Sequence, residues 1–317
     1  MHDNPPLISI GMPVRNTRET LPLAIRSIRW QTYPHWELLV IDDGSNDQTQ
    51  EIARRYSEAD RRIRVLSDGR HLGLSYRLNQ AIALSRGHLF ARMDGDDVAY
   101  PDRLERQVEY LRSHPEVDLV GAAAVVFDDD GVALGKRVGP ESHGEICAHP
   151  YAGFPVMHPI FAGRIEFFRK YGYTIESILG EDQDLFSRTF PNGLNLTRGG
   201  MGTEDQDLLL RSHRDSRFAN IQDVLLGYRE PELKVGKIFK ARCSLVKMLY
   251  YSLWKKSEYI KFILFSILHI AKFLIECAAI WSRLNYHLLR HRAKRATPDE
   301  RDRWKILWEE LQGETVR

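Results

Sequence analysis

Two acidic clusters draw the eye because each follows directly on an apolar run. Asp42-Asp43-Gly44-Ser45 follows WELLVI (36–41), and Asp94-Gly95-Asp96-Asp97 follows HLFARM (88–93). Carboxylates brought to neighbouring strand ends repel one another, and gathering them is costly unless a cation or hydrogen-bond donors sit between them. A hard divalent cation, Mg2+ or Mn2+, carrying a diphosphate satisfies such a set: it takes one or two carboxylates and completes its shell with phosphate oxygens and water. The Asp-x-Asp triplet alone is weak, because chance yields roughly one or two in a chain of this Asp content. This chain has four, at 94–96, 128–130, 182–184 and 205–207. Asp128-Asp129-Asp130-Gly131 reads as a turn between strands, and Asp-Gly-Ser after a strand is by itself a turn or helix cap. Position at a strand end is what singles out Asp94 and Asp96.

The elements that must position these groups alternate regularly. Apolar runs at 7–12, 36–41, 62–66, 88–93 and 118–127 are short enough for strands. Between them, 20–31, 47–59, 74–85 and 101–114 carry helical periodicity. Strand and helix alternating in this way imply parallel strands joined by right-handed crossovers: an α/β, Rossmann-like, mostly parallel sheet with helices on both faces. Such sheets bind ligands beyond the carboxyl ends of their strands, where the two clusters fall.

With the elements in place, the residues resemble a family. ISIGMPVRN, ETLPLAIRSIRWQTYPHWELLVIDDGSNDQT, HLGLSYRLNQAIALSRG and MDGDDVAYPDRLERQVEYL occur in the order found in the family 2 glycosyltransferases, inverting enzymes of GT-A fold. The likeness is strong over about 7–130 and weaker to about 230. It implies a nucleotide-sugar half at 7–130 and an acceptor half at 131–232. It further implies that Asp43 holds the nucleobase, that Asp94 and Asp96 form the metal pair, and that Gly73 and Asn79 border the donor, as does the PVRN segment with Pro13. The family often has an aromatic residue at the position of Arg15, whose guanidinium can also stack on a base. Arg77 either meets the diphosphate or is a solvated helix residue.

Sugar transfer from a nucleoside diphosphate, a UDP-sugar by this reading, needs a Lewis acid at the departing diphosphate and a general base at the acceptor hydroxyl of a saccharide or lipid-linked acceptor. Two segments offer the base. EDQDLFSR begins at Glu181-Asp182 and EDQDLLLR at Glu204-Asp205, identical in six of eight positions. The family has one such motif, between a His-Pro and a Tyr-Arg pair; here His158-Pro159 precedes the first copy and Tyr228-Arg229 follows the second. The second copy continues as a helix with Thr203 as N-cap and acids in its first turn, whereas Pro191 and Gly193 soon stop the first. Asp205 with Glu204 beside it is therefore the preferred base, with Asp182 the alternative. His158 is either a structural turn residue or a contact to acceptor or phosphate.

Hydrophobic residues at 43% and charged residues at 28% are ordinary for a globular chain of 317 residues, but the net charge of +2 hides a split. Residues 1–232 hold 27 Lys+Arg against 35 Asp+Glu, and 233–295 hold 14 against 2. In the basic part, Glu258, Lys261, His269, Lys272, Glu276, Arg283, His287, Arg290 and Lys294 share one helical stripe roughly 80° wide, leaving a broad apolar face. Such a helix lies in an interface, with lipid, a second copy or its own domain; basic flanks favour peripheral contact with anionic headgroups through 255–295. Lys272 and Glu276 argue against a span, and the apolar content argues against nucleic acid. TPDERDRWKILWEELQ (297–312) reads as a short amphipathic helix. The division expected is 1–232 and 233–317.

Three unpaired cysteines support neither a disulfide framework nor a zinc site. No signal peptide is recognisable at the amino end, so a cytoplasmic location, peripheral on the membrane, is expected. A nucleotidyltransferase would carry a Gly-rich phosphate loop near its start, and neither GxxxxGK[ST] nor GxGxxG occurs. A non-catalytic binding protein would have lost the metal pair or the base, and both remain.

Overall fold

Strands that read as unbroken apolar runs need cover on both faces, and the first half of the chain supplies it. A computed structural model describes residues 5–175, 183–190, 192–193, 203–230, 235–254, 257–282 and 294–313. Strands β1 (Ile8–Val14), β2 (Trp36–Asp42), β3 (Ile63–Ser67) and β4 (Leu89–Arg92) pair in parallel, in the order β3-β2-β1-β4. Every residue of β1 and β2 is buried. The crossovers are α1 (Leu21–Arg29), α2 (Thr49–Ala59) and α3 (Leu74–Leu84). Helix α1 buries Leu21, Ala24, Ile25 and Ile28, the spacing of one helical face.

Past β4 the sheet is mixed. It continues with β5 (Val98–Ala99), α4 (Arg103–Ser113), β6 (Leu119–Phe127), β7 (Ala133–Arg137), β8 (Ala162–Arg164) and β9 (Phe218–Arg229). The full order is β3-β2-β1-β4-β8-β6-β9-β5, with β7 on β6. Strand β8 lies between β4 and β6, antiparallel to both, while β6 and β9 pair in parallel. The parallel pairing expected from alternation therefore holds for the first four strands. DLVGAAAVVF is a strand as expected, but it joins them through β8. The apolar pattern of a strand specifies its burial and is silent about which later strand will pair with it.

The following segment adds α5 (His143–Ile146), a 3-10 turn (His158–Ile160), α6 (Ile165–Tyr171), α7 (Gln183–Thr189) and α8 (Glu204–Ser212). Then α9 (Val235–Ser252) and α10 (Tyr259–Trp281) pack as a hairpin. Of the expected polar stripe, His269, Lys272 and Glu276 of α10 face inward, Lys261 is exposed, and Arg283, His287 and Arg290 lie outside the described residues. His269 and Glu276 are buried, Arg242 of α9 pairs with Glu276 at 2.6 Å, and His269 Nε2 lies 3.2 Å from the Tyr151 carbonyl. The apolar face is left outside, with Ile260 77% and Leu264 61% exposed.

Helix α11 (Pro298–Gly313) returns to the sheet. Trp304 is buried among Tyr100, Phe127 and Trp308, and its Nε1 donates to the Gly131 carbonyl at 2.8 Å. Arg26 of α1 donates to the Leu311 carbonyl at 2.7 Å, and Lys136 of β7 pairs with Glu300 at 2.6 Å. Residues 294–313 thus pack on the sheet-bearing unit, and α9 joins its core through Met248 and Leu245. Trp304→Ala is expected to cost about 3–5 kcal/mol in urea denaturation, and Ile306→Ala, on the exposed side of the same helix, within about 0.5 kcal/mol. Equal effects of the two would contradict this packing.

Candidate active site

Parallel pairing carries the ends of β1, β2 and β4 to one edge. Val14 lies opposite Asp42 and Gly11 opposite Arg92, so Arg15, Asp43 and Asp94 follow on adjacent strands. Pro13 sits buried in β1 opposite Ile41. Gly95 allows the acidic loop to lie against β1, since a Cβ there would meet Val14 Cγ1 at 2.7 Å.

On the β2 side, Asp42 turns back into its own loop and accepts from the Ser45 N–H and the Ser67 hydroxyl. Asp43 points the other way and is buried. Its carboxylate accepts from the N–H groups of Leu72 (2.7 Å) and Gly73 (3.1 Å) and from Arg77 Nε (2.9 Å), with His71 Nδ1 at 2.7 Å. Arg77 is therefore neither a diphosphate contact nor a solvated residue. It is 1% exposed, and its guanidinium is consumed by Asp43, Asp68, Gln80 and the Arg70 carbonyl. The acids that draw Arg77 inward, Asp43 and Asp68, lie just past the ends of β2 and β3. Gly73, at φ +88°, permits the turn into α3, and a side chain there would meet open space. Asn79 is buried and exchanges two 2.9 Å bonds with the backbone of Tyr173, which engage its side-chain amide. Arg15 is exposed, with Nη1 3.2 Å from His71 Nε2. His71, not singled out from sequence, thus bridges Arg15 and Asp43.

At the end of β4, one carboxylate oxygen each of Asp94, Asp96 and Asp97 lies within 4.8 Å of the others. Asp97, which the sequence reading left without a role, is buried. Its Oδ1 accepts from the Arg229 N–H at 2.9 Å, and among the described residues its Oδ2 has no partner. Burial, then the like charge of Asp94, pushes the Asp96 carboxyl up to about 6, and the same causes raise Asp97 well above the usual carboxylate range. Hard oxygen donors at this spacing, one orphaned, fit Mg2+ or Mn2+, whose ligand oxygens lie about 2.1 Å from the ion.

Beneath the cluster lies Arg92, the last residue of β4 and 3% exposed, whose Nη2 pairs with Asp94. Burial works against its charge, and Asp94, Tyr173, Asp97 and Glu204 more than offset it. A cation inside a strand covered on both faces was the sequence signal for this partner, and it was not used. Arg103, also buried, donates to the Arg92 carbonyl at 2.6 Å, and burial lowers it to about 10.

The second EDQD copy begins α8, and the charge of Glu204 is among those that favour the Arg92 guanidinium. His158 Nδ1 lies 4.0 Å from Glu204, and His158 Nε2 lies 3.0 Å from the Tyr173 hydroxyl. Burial, with Arg92 adding to it, holds His158 well below its ordinary value, so the imidazole is neutral. Burial raises the Asp205 carboxyl, which accepts from Gln206 Nε2 at 3.0 Å. Thr203 precedes α8 without a side-chain capping bond, contrary to the cap expected. Glu181 and Asp182 lie outside the described residues.

The profile described as Glycosyl transferase family 2 matches residues 9–170. EpsE of Bacillus subtilis is 33% identical over 216 residues, covering 67% of this chain and 74% of that protein. The amylovoran biosynthesis glycosyltransferase AmsE of Erwinia amylovora is 31% identical over 187 residues, covering 59% and 70%. Among solved structures, the mannosyltransferase PcManGT of Pyrobaculum calidifontis, in complex with GDP-Man and Mn2+, superposes with TM-score 0.57 at 15% identity, covering 98% of this chain and 88% of that one. S. aureus TarS 1-349 with UDP-GlcNAc gives 0.54 at 16% identity, covering 96% and 80%. At such identity these neighbours speak for the fold, which is GT-A. The matched profile, the similarity to EpsE and the order of the acidic loops along the sheet edge place this chain in glycosyltransferase family 2.

Proposed function

We propose that the enzyme transfers a sugar, with inversion, from a nucleoside-diphosphate donor, a UDP-sugar by preference, to a saccharide or lipid-linked acceptor in surface polysaccharide or glycolipid synthesis. The observation that carries this reading is the cluster of Asp94, Asp96 and Asp97 past the end of β4, ion-paired through Asp94 to the buried Arg92. Nucleotide sugars and Mn2+ in the titles of the fold neighbours, and the polysaccharide named for AmsE, support it.

Asp94, Asp96 and Asp97 would hold Mg2+ or Mn2+, which when bound supplies Lewis-acid neutralisation of the diphosphate leaving group. Asp43 fixes the 70–73 loop, whose His71, with Arg15 from the end of β1, offers an imidazole and a guanidinium at the base-binding edge. Asp205 takes the acceptor proton, and Gln206 orients its carboxylate. The neutral His158, beside Glu204, serves the acceptor side. Asp96→Ala is expected to abolish metal-dependent transfer. Asp205→Asn should lower kcat about 10²- to 10⁴-fold, with Asp182→Asn near wild type; the reverse order would move the base to the first copy.

A raised carboxyl pKa means that the folded protein holds this proton more tightly than the unfolded chain does. Ionising Asp205 therefore costs stability as pH rises, and only the ionised form accepts a proton. Turnover at saturating metal should accordingly fall as pH drops through a value above the ordinary Asp value of about 4. A kcat profile whose acid limb lies at or below that value would count against Asp205.

The apolar face of α10 is assigned to the surface of an anionic bilayer. Tyr259–Trp281 is long and apolar enough to cross a membrane by length and composition, but its His269, Lys272 and Glu276 are engaged by the protein itself. The outward face carries Ile263, Ile267, Leu274 and Ile275, and basic residues crowd the sequence on either side. Ile267→Glu with Leu274→Glu should abolish flotation with vesicles containing anionic lipid while leaving transfer to a soluble acceptor intact. A concentration-dependent dimer lost in the same variant would assign the face to a second copy instead.

A further inference from the structure

Gathering three carboxylates at one strand end requires a compensating cation, and the chain carries one of its own. Among the described residues Arg92 is the cation ion-paired to this set, through Nη2 to Asp94. Its Nε and Nη1 are buried with no acceptor among the described residues, so the side chain is not held there by a complete hydrogen-bond shell. The other arginines nearby are committed differently. Arg103 spends its donors on Gln107, Met93 and the carbonyls of Arg92 and Pro159, while the Arg229 side chain reaches the Asp96 carbonyl and Asp129. Among the described residues Arg92 is the arginine whose side chain pairs with a carboxylate of the candidate metal set, Arg229 reaching Asp97 only through its backbone N–H, and the charges Arg92 feels include Glu204 on the base-bearing helix.

We propose that Arg92 is a built-in counter-cation that makes dication binding at Asp94, Asp96 and Asp97 conditional on the donor's diphosphate. This rests on the nucleoside-diphosphate reading above. A guanidinium and a dication compete for the same Asp94 carboxylate. At formal charge the three acids contribute three negatives, Arg92 one positive and the ion two positives, so the loaded cluster is neutral and the ion gains less here than at three uncompensated acids. The diphosphate supplies further anionic oxygens to the same ion, and binding of either then favours the other. Without metal, Arg92 restrains the mutual repulsion of the acids. Arg92 is thus a positioning residue that sets the order of loading and need not touch the sugar.

The test measures Mn2+ binding by electron paramagnetic resonance, with no nucleotide and then with saturating UDP or GDP, on the wild type, Arg92→Lys and Arg92→Met. The wild type and Arg92→Lys are expected to bind Mn2+ weakly alone and about ten-fold or more tightly with the diphosphate. Arg92→Met is expected to bind Mn2+ alone about ten-fold or more tightly than wild type and to lose most of the nucleotide dependence. It should also melt lower than wild type without metal and recover most of that deficit in Mn2+. Unchanged or weaker Mn2+ affinity in Arg92→Met overturns the proposal, as does a variant that stays unfolded in millimolar Mn2+, which would make the guanidinium purely structural. Failure of the wild type to bind either nucleotide at any Mn2+ concentration would sink the donor reading instead. The nucleotide-free arm still decides the role of Arg92.

Discussion

Negative charge must be concentrated at one edge of this sheet and kept there without tearing the edge apart. The solution is the same on both sides of β1: a buried arginine is drawn from the sheet-bearing unit itself. Arg77 rises from α3 to join Asp43 to Asp68, and Arg92 at the end of β4 pairs with Asp94. A buried guanidinium is tolerable only where carboxylates meet it, and a cluster of carboxylates only where cations do. Each therefore specifies the position of the other. The loops at 42–45, 70–73 and 94–97 are held in this way, with Gly44 letting the first approach the second: a Cβ there would meet the Arg70 backbone at 2.9 Å.

The same economy extends outward from α8. Gln206 contacts Asp205 with one end and accepts from the Phe154 N–H at 2.6 Å with the other. The adjoining Tyr151 and Ala152 carbonyls face His269 and Lys272 of α10. A continuous run of polar contacts thus joins the candidate base to the helix with the large apolar outer face. Helix α10 reverses the usual amphipathic arrangement, because His269, Lys272 and Glu276 meet partners inside the protein while its isoleucines and leucines are outside. An outward apolar face of this extent marks an interaction surface.

Much of the fold was legible because periodicity reports burial directly. The strands, the crossover helices and the acidic loops at strand ends stand where the runs and their spacing put them, and Asp94 and Asp96 lie together past the end of β4. The failures share a cause. Arg77 looked like a solvated or substrate-facing residue, and Asp97 and Arg92 received no role, because each is decided by a partner distant in the chain. For Arg77 that partner is Asp43.

Residue order by itself determined what each segment buries and which chemistry its ends could perform: apolar runs for the inside, acids where they stop, and a narrow polar stripe on the long basic helix. Tertiary structure alone decided that β8 enters between β4 and β6, that α11 returns to the sheet, and that His269, Lys272 and Glu276 of α10 turn inward. Local periodicity is a property of neighbours along the chain, whereas pairing and charge compensation are properties of neighbours in space. Which distant cation meets which acid is settled only when the chain has folded.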